Sequence, residues 1–107
     1  MSLLTVRQTT PEGTAFLMLA LVGELEVVNV DKLTDAAVRA IADGQRHLLL
    51  DLTGITRCDT GSLYTLLGIR HAANHAGGSL AVTEASASVH EALLRTGLRE
   101  LLPVTPG

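Results

Sequence analysis

The chain has few aromatic and few basic residues, and both shortages exclude functions. Phe16 and Tyr64 are the only aromatic residues among 107, and tryptophan is absent. A surface on which single-stranded nucleic acid could stack is therefore not expected. Eight basic residues against eleven acidic residues give a net charge of −3. No basic patch is available to neutralise phosphates, so nucleic acid is not an expected partner.

Long hydrophobic runs and paired cysteines are missing as well. No apolar stretch reaches the ~20 residues of a membrane helix, so no direct membrane insertion is expected. The N-terminus lacks a charged segment followed by a cleavage site, which predicts no signal peptide. Cys58 is the single cysteine and cannot form an internal disulfide, which is consistent with a reducing, cytoplasmic location.

The hydrophobic pattern predicts a single α/β domain over residues 1–107. Alternating residues 4–9 predict an edge strand, and residues 11–13 (PEG) predict a turn. The apolar run from Thr14 to Val22 predicts a central strand that is covered on both faces, with Gly23 as its end.

Two further strands alternate with three helices in the rest of the chain. Each helix carries an apolar stripe at helical spacing, a polar residue that can cap its start, and a glycine beyond its end. The helices are predicted near residues 31–41 with Asn29 or Asp31 as cap, from about residue 60 to His75, and after Ser86 or Ser88; the strands are Leu48–Leu52 and Ser79–Thr83, and the tail 98–104 is a candidate fifth strand. The predicted architecture is a mixed central sheet of four to five strands covered by three to four helices.

Two junctions after strands are candidate sites, because functional residues in α/β sheets gather where strands end and helices begin. One is Gly23-Glu24-Leu25-Glu26, and the other is the segment 57–63 (RCDTGSL). If the two strands are neighbours, the junctions lie on one rim of the sheet. Asp59 is a good helix cap, which puts the Thr60 hydroxyl in the first helical turn. Unpaired backbone N–H groups there suit a phosphate. On their own, these residues favour a simple helix start, because most cap motifs are only caps.

Five segments, taken in order, resemble a known family. Residues 21–26 (LVGELE), 48–53 (LLLDLT), 59–63 (DTGSL), 77–82 (GGSLAV) and 93–98 (LLRTGL) are similar to the motifs of the STAS domain, the fold of anti-sigma factor antagonists. In that family the residue at the position of Thr60 is phosphorylated. The resemblance departs from the pattern at Gly61 and Ser62, where glycine and hydroxyl have exchanged places, so Ser62 is a rival acceptor; Glu26 replaces the usual aspartate.

The resemblance implies a switch rather than an enzyme. The unphosphorylated domain would bind an anti-sigma factor that is also an ATP-dependent serine/threonine kinase. Phosphate on Thr60 would break the complex, and a separate phosphatase would restore it. ATP would belong to the partner, and no cofactor is expected in this chain. The expected partner surface comprises the rim residues Glu24, Glu26, Asp59, Thr60, Gly61, Ser62 and Leu63.

Other interpretations remain open at this point. The same rim could brace the ATPase of an ABC-type lipid transporter, or belong to a stressosome-like or small-ligand-binding STAS scaffold. His71 and His75 share a helical face but lack a third ligand, so no metal site is predicted. Cys58 is expected to be a packed residue rather than a reactive thiol, since Asp59 beside it opposes a thiolate. Tyr64 could pack at the core edge or anchor a partner.

Overall fold

The computed structural model describes residues 3–10 and 16–104, and its elements follow the predicted order. They are β1 (Leu4–Thr9), β2 (Phe16–Leu25), α1 (Asp31–Ala42), β3 (His47–Cys58), α2 (Thr60–His75), β4 (Ser79–Ala85), α3 (Ala87–Thr96) and a 3₁₀ turn (Leu98–Glu100). The predicted turn at residues 11–13, and the start of the second strand at Thr14, lie outside the described residues.

The four strands form one mixed sheet in the order β1-β2-β3-β4. Strand β1 pairs antiparallel with β2, whereas β2, β3 and β4 are parallel. Both parallel pairs are joined by a helix, and because such crossovers are right-handed, α1 and α2 lie on the same face of the sheet. The described part of the tail forms only an isolated parallel bridge between Val104 and Val82, so the described residues contain four strands, the lower number of the predicted range.

Leucines on one face of the sheet form the core. Leu19 of β2 and Leu48 and Leu50 of β3 have no solvent exposure, and they pack in one cluster with Leu33 of α1 and Leu66 of α2. Alternate residues of a strand point to the same face, so each strand delivers a row of leucines to the helices. Burial of these side chains is the main stabilising contribution to the fold.

The opposite face of the sheet is not covered by the described residues. We call it the open face; its members include Arg7, Met18, Ala20, Val22, Leu49 and Asp51, which are half-buried or exposed. Phe16 and Val22 of β2 are 39% and 52% exposed. The prediction that β2 is covered on both faces is therefore wrong for this part of the chain. Strand β2 does not alternate apolar and polar residues, although one of its two faces is open.

Helix α3 occupies a different position from α1 and α2. Strand β3 continues to Cys58, whereas its last pair with β4 is Leu52 with Ala85. Helix α3 lies beside this extension, where the Ser88 hydroxyl donates a hydrogen bond to the Thr56 carbonyl oxygen (2.9 Å). The predicted cap Ser86 is confirmed, since its Oγ accepts from the Val89 N–H.

One predicted boundary and one predicted cap near the first junction are wrong. Strand β2 continues through Gly23 to Leu25, although Gly23 has a φ of 118°. A side chain at Gly23 would meet the carbonyl oxygen of Leu3 at 2.2 Å, so the close approach of β1 requires glycine there. Helix α1 starts after Val30 with no side-chain cap, because Asn29 makes other hydrogen bonds.

Candidate functional site

The two predicted junctions meet at one rim of the sheet, as expected for neighbouring strands. Leu25 at the end of β2 pairs with Cys58 at the end of β3. The Asp59 N–H donates to the Leu25 carbonyl oxygen (3.1 Å), which carries the pairing one residue beyond the sheet. The start of α2 is therefore fixed against the loop that follows β2.

Asp59 holds both junctions with one carboxylate. Its Oδ1 accepts from the Ser62 N–H at 2.8 Å, which caps α2 as predicted. Its Oδ2 accepts from the Val27 N–H at 2.9 Å, in the loop after β2. A carboxylate that satisfies two backbone donors in this way orders both segments at once.

Thr60 is the first residue of α2, and its side chain is exposed. The preceding Asp59 has extended backbone angles, φ −96° and ψ 166°, so the chain turns sharply into the helix at this point. The expectation of a displayed hydroxyl at the helix start agrees with this geometry.

Ser62 and Leu63 do not contribute the surface expected of them. Both have no solvent exposure. The Ser62 hydroxyl donates to the Asp59 carbonyl oxygen at 2.8 Å, and Leu63 belongs to the hydrophobic core. The structure thus corrects two sequence-based expectations: Ser62 is not an accessible rival to Thr60, and neither side chain is presented to a partner.

Gly61 allows the loop after β2 to pack against α2. A Cβ at this position would lie 3.0 Å from the Cβ of Val27, which is tighter than normal packing tolerates. The exchange of glycine and hydroxyl in the DTGSL segment therefore has a local reason. The hydroxyl side chain turns into the core at Ser62, and the glycine faces Val27.

Both glutamates of the first junction make contacts within the rim. Glu24 is half-buried, and its carboxylate lies 3.6 Å from the guanidinium of Arg57. The Glu26 N–H donates to Asn29 Oδ1 (3.0 Å), and Asn29 Nδ2 donates to the Glu24 carbonyl oxygen (2.8 Å). Asn29 is 8% exposed and supports the loop from inside. From the sequence, Asn29 is predicted only as a helix cap, with Asp31 as the alternative.

Exposed hydrophobic side chains lie on both segments of this rim. Val27 and Val28 are 57% and 72% exposed in the loop after β2, and Tyr64, one helical turn beyond Thr60, is 58% exposed. Tyr64 therefore does not pack into the core edge. Residues four apart on a helix are neighbours, so Tyr64 and Thr60 share one surface. The valines were missed by the sequence analysis, although two adjacent β-branched residues in a loop are a usable signal.

The family model of the STAS domain matches residues 6–106. The chain belongs to the STAS domain family. The four-stranded mixed sheet with its helices is the fold expected from the motif resemblance. No sequence among the curated proteins matches the chain significantly.

Solved structures share this STAS fold at low sequence identity. An anti-sigma factor antagonist from Mycobacterium paratuberculosis is 20% identical with a TM-score of 0.80, and the match covers 97% of this chain and 86% of that chain. The protein TM1081, solved by NMR, is 18% identical with a TM-score of 0.76, covering 92% and 78%. The phosphorylated form of the Bacillus cell fate determinant SpoIIAA is 15% identical with a TM-score of 0.68, covering 94% and 91%.

Cys58 lies next to the cap of this STAS domain and is buried. Burial raises the pKa of its thiol above the ordinary value of 9.0; the nearby Asp59 acts in the same direction, while a hydrogen bond with Ser62 and the charge of Arg95 act against it. A thiol near a helix N-terminus often becomes more acidic, whereas burial, the largest cause at Cys58, raises the pKa of its thiol. The expectation of a packed, unreactive Cys58 agrees with this environment.

Other candidate groups show no assembled site. His71 and His75 are exposed on α2. Within residues 3–10 and 16–104, no three histidine, cysteine, aspartate or glutamate side chains cluster as metal ligands would. Among the helices of the described ranges, none has the length and hydropathy to span a membrane.

Proposed function

We propose that this STAS domain is an anti-sigma factor antagonist that is switched at Thr60. In its unphosphorylated form it binds an anti-sigma factor that is also an ATP-dependent serine/threonine kinase, and the sigma factor is released. The observation that carries this proposal is an exposed threonine at the first position of α2, directly after a carboxylate that orders both rim segments.

The surroundings of Thr60 suit a surface that partners bind and leave. Val27, Val28 and Tyr64 expose apolar area on the two segments that Asp59 joins, and burial of such area is what drives protein association. Asp59 fixes the loop that carries the valines, so the partner meets a surface that is already ordered. Little conformational entropy then opposes binding.

Phosphorylation would reverse the attraction by charge. The γ-phosphoryl group of ATP would pass to the Thr60 hydroxyl oxygen, which loses its proton, and ADP would leave. The phosphate adds about −1.5 to −2 charges at pH 7. The Ser62 N–H already donates to Asp59 and is not free to bind the phosphate. The new charge would therefore lie beside the Asp59 carboxylate, on a rim that exposes apolar side chains. Bringing that charge into an interface requires its desolvation and repels acidic groups of the partner.

The structural neighbours support this proposal at the level of the fold. One is described as an anti-sigma factor antagonist and another as a cell fate determinant in its phosphorylated form. On this proposal the chain is the substrate of the kinase, not a catalyst. We expect the pair to work in the cytoplasm, where ATP and RNA polymerase are found, and a phosphatase to restore the unphosphorylated form.

Phosphate mapping with purified kinase tests the proposal. The protein is incubated with ATP and each candidate anti-sigma factor kinase from its own genome, and then intact mass and modified peptides are measured. One phosphate on Thr60 is expected, and Thr60→Ala should remove it. Two control variants should keep the phosphate: Thr56→Ala, which changes an exposed threonine on the neighbouring strand β3, and Ser62→Ala. No phosphate with any such kinase, or phosphate that persists in Thr60→Ala, would contradict the proposal.

A further inference from the structure

The open face of the sheet is more apolar than a water-exposed face needs to be. On this side β2 presents Phe16, Met18, Ala20 and Val22, without a polar residue between them. A strand with one solvated face normally alternates apolar and polar residues. The described residues leave this face uncovered, while its composition is that of a face in contact with another protein surface.

Charged residues flank the apolar strand on both sides. Arg7 of β1 pairs with Ala20 of β2, and Ala20 pairs with Asp51 of β3. Ala20 and Asp51 each lie between two buried leucines in sequence, so all three residues of this row point to the open face. Within residues 3–10 and 16–104, neither Arg7 nor Asp51 forms an ion pair. Asp51 Oδ1 accepts from the N–H and hydroxyl of Thr53.

The row of Arg7, Ala20 and Asp51 is complementary to the same row of a second copy. A twofold axis that runs along β2, above Ala20, exchanges the positions of β1 and β3. It would place Arg7 of each copy opposite Asp51 of the other, because the two residues lie in register at one strand's distance from Ala20. Along the axis, Met18 and Val22 would meet their own counterparts, so apolar side chains would contact apolar side chains.

We propose that the open face is the interface of a homodimer, in which a second copy of this chain stacks sheet on sheet. Aligned sheets pack about 10 Å apart with their strands within about 30° of each other, and an arginine and an aspartate facing across that gap can meet. Closed twofold dimers with self-complementary surfaces are the commonest assemblies. The occupant is a second copy because both the apolar strand and the charge pair match their own image.

The dimer is independent of the function proposed for Thr60. The hydroxyl lies at the start of α2, and α2 is on the covered face of the sheet, so a stacked dimer leaves both Thr60 surfaces accessible. Thr60→Glu should therefore leave the dimer intact. Failure of kinase binding and failure of dimerisation can then be observed separately.

Charge reversal and its rescue test the interface. Sedimentation velocity of the full chain over a dilution series is expected to show a dimer of two 11.2 kDa chains dissociating to monomers. Arg7→Glu would bring two pairs of like charges together, and it should weaken dimerisation by at least about thirtyfold. Adding Asp51→Arg to Arg7→Glu reverses both partners and should restore at least part of the affinity. Arg39→Glu on α1 makes the same charge change on the covered side and should have no effect.

Because Asp51 also binds Thr53, a substitution at Asp51 could disturb the fold itself. A second variant therefore tests the interface at a different residue. Val22→Glu places two carboxylates next to the axis at an exposed strand position and should prevent dimerisation while circular dichroism stays unchanged. Val38→Glu, at an exposed valine of α1 (57% exposed), is its control. A monomer at every concentration would overturn the proposal, and so would a dimer that neither Arg7→Glu nor Val22→Glu weakens.

Discussion

Two strand-to-helix junctions of this STAS domain have the same kind of helix cap, but only one of the caps also binds a neighbouring loop. At β3–α2, Asp59 accepts from the N–H of Ser62 at 2.8 Å; at β4–α3, Ser86 accepts from the N–H of Val89 at 3.4 Å. Both are helix caps of the ordinary kind. Only the carboxylate has a second acceptor oxygen, and Asp59 uses it to bind Val27 in the adjacent loop.

The comparison shows which features distinguish a candidate site from a plain helix start. Thr60 and Ala87 both occupy the first helical position, and both are exposed. Helix dipole and free backbone donors are therefore common to the two junctions. The first junction differs by its hydroxyl, its shared carboxylate and the exposed valines that the carboxylate fixes.

The largest difference is expected for a negative charge at the first helical position. Thr60→Glu should weaken binding of the anti-sigma factor kinase by about hundredfold or more, because a charge is buried in the contact. Ala87→Glu places the same charge at the same helical position of α3 and should leave binding unchanged. Isothermal titration calorimetry with the kinase that phosphorylates Thr60 measures both. Equal affinities for Thr60→Glu and the unmodified protein would refute the repulsion mechanism.

Removal of the two caps should have unequal effects on stability. Asp59→Ala leaves two backbone N–H groups without their acceptor and should lower the free energy of unfolding by about 2–3 kcal/mol. Ser86→Ala removes one longer hydrogen bond and should cost about 1 kcal/mol or less. Urea unfolding of both variants measures the difference. If Asp59→Ala were no more destabilising than Ser86→Ala, the bond to Val27 would contribute nothing.

The serines of the two junctions extend the comparison to side-chain hydroxyls. Ser62 is fully buried and donates to Asp59, so Ser62→Ala should destabilise the fold by about 1 kcal/mol. Ser88 donates to Thr56 from a more accessible position, so Ser88→Ala should cost about half of that or less. Neither change should alter phosphorylation of Thr60. A loss of phosphate in Ser62→Ala with intact folding would show that Ser62 is part of the switch.

The fold could be predicted from the sequence because its signals are local and repeated. The apolar run of β2, the stripe of α1 and the glycines after the helices fixed the element order, and Asp59 was predicted as a cap from its residue type alone. The five motifs then indicated the STAS family. Strand ends were less predictable. Gly23 has a positive φ, as at a turn, but the neighbouring β1 determines that it lies inside a strand.

The details of the site depend on contacts between segments that are distant in sequence. The bond between Val27 and Asp59 joins residues 32 positions apart, and no local pattern reports it. The burial of Ser62 was missed because a hydroxyl near a helix start looks accessible in sequence. For β2 the sequence overestimated burial. Its apolar pattern predicted that both faces are covered, but the described residues cover one face only.

The last comparison concerns pH, because burial and the start of α2 act on the Cys58 thiol in opposite directions. Burial raises the pKa of the thiol in the folded state above 9.0. The unfolded chain therefore loses this proton first as pH rises, and the folded state loses stability between the two pKa values. The contribution is fully present below the unfolded pKa, and its slope is at most about 1.4 kcal/mol per pH unit. Urea unfolding over a pH series should show this alkaline slope in the wild type and a shallower one in Cys58→Ala. Identical slopes would mean that the start of α2 stabilises the thiolate as much as burial disfavours it.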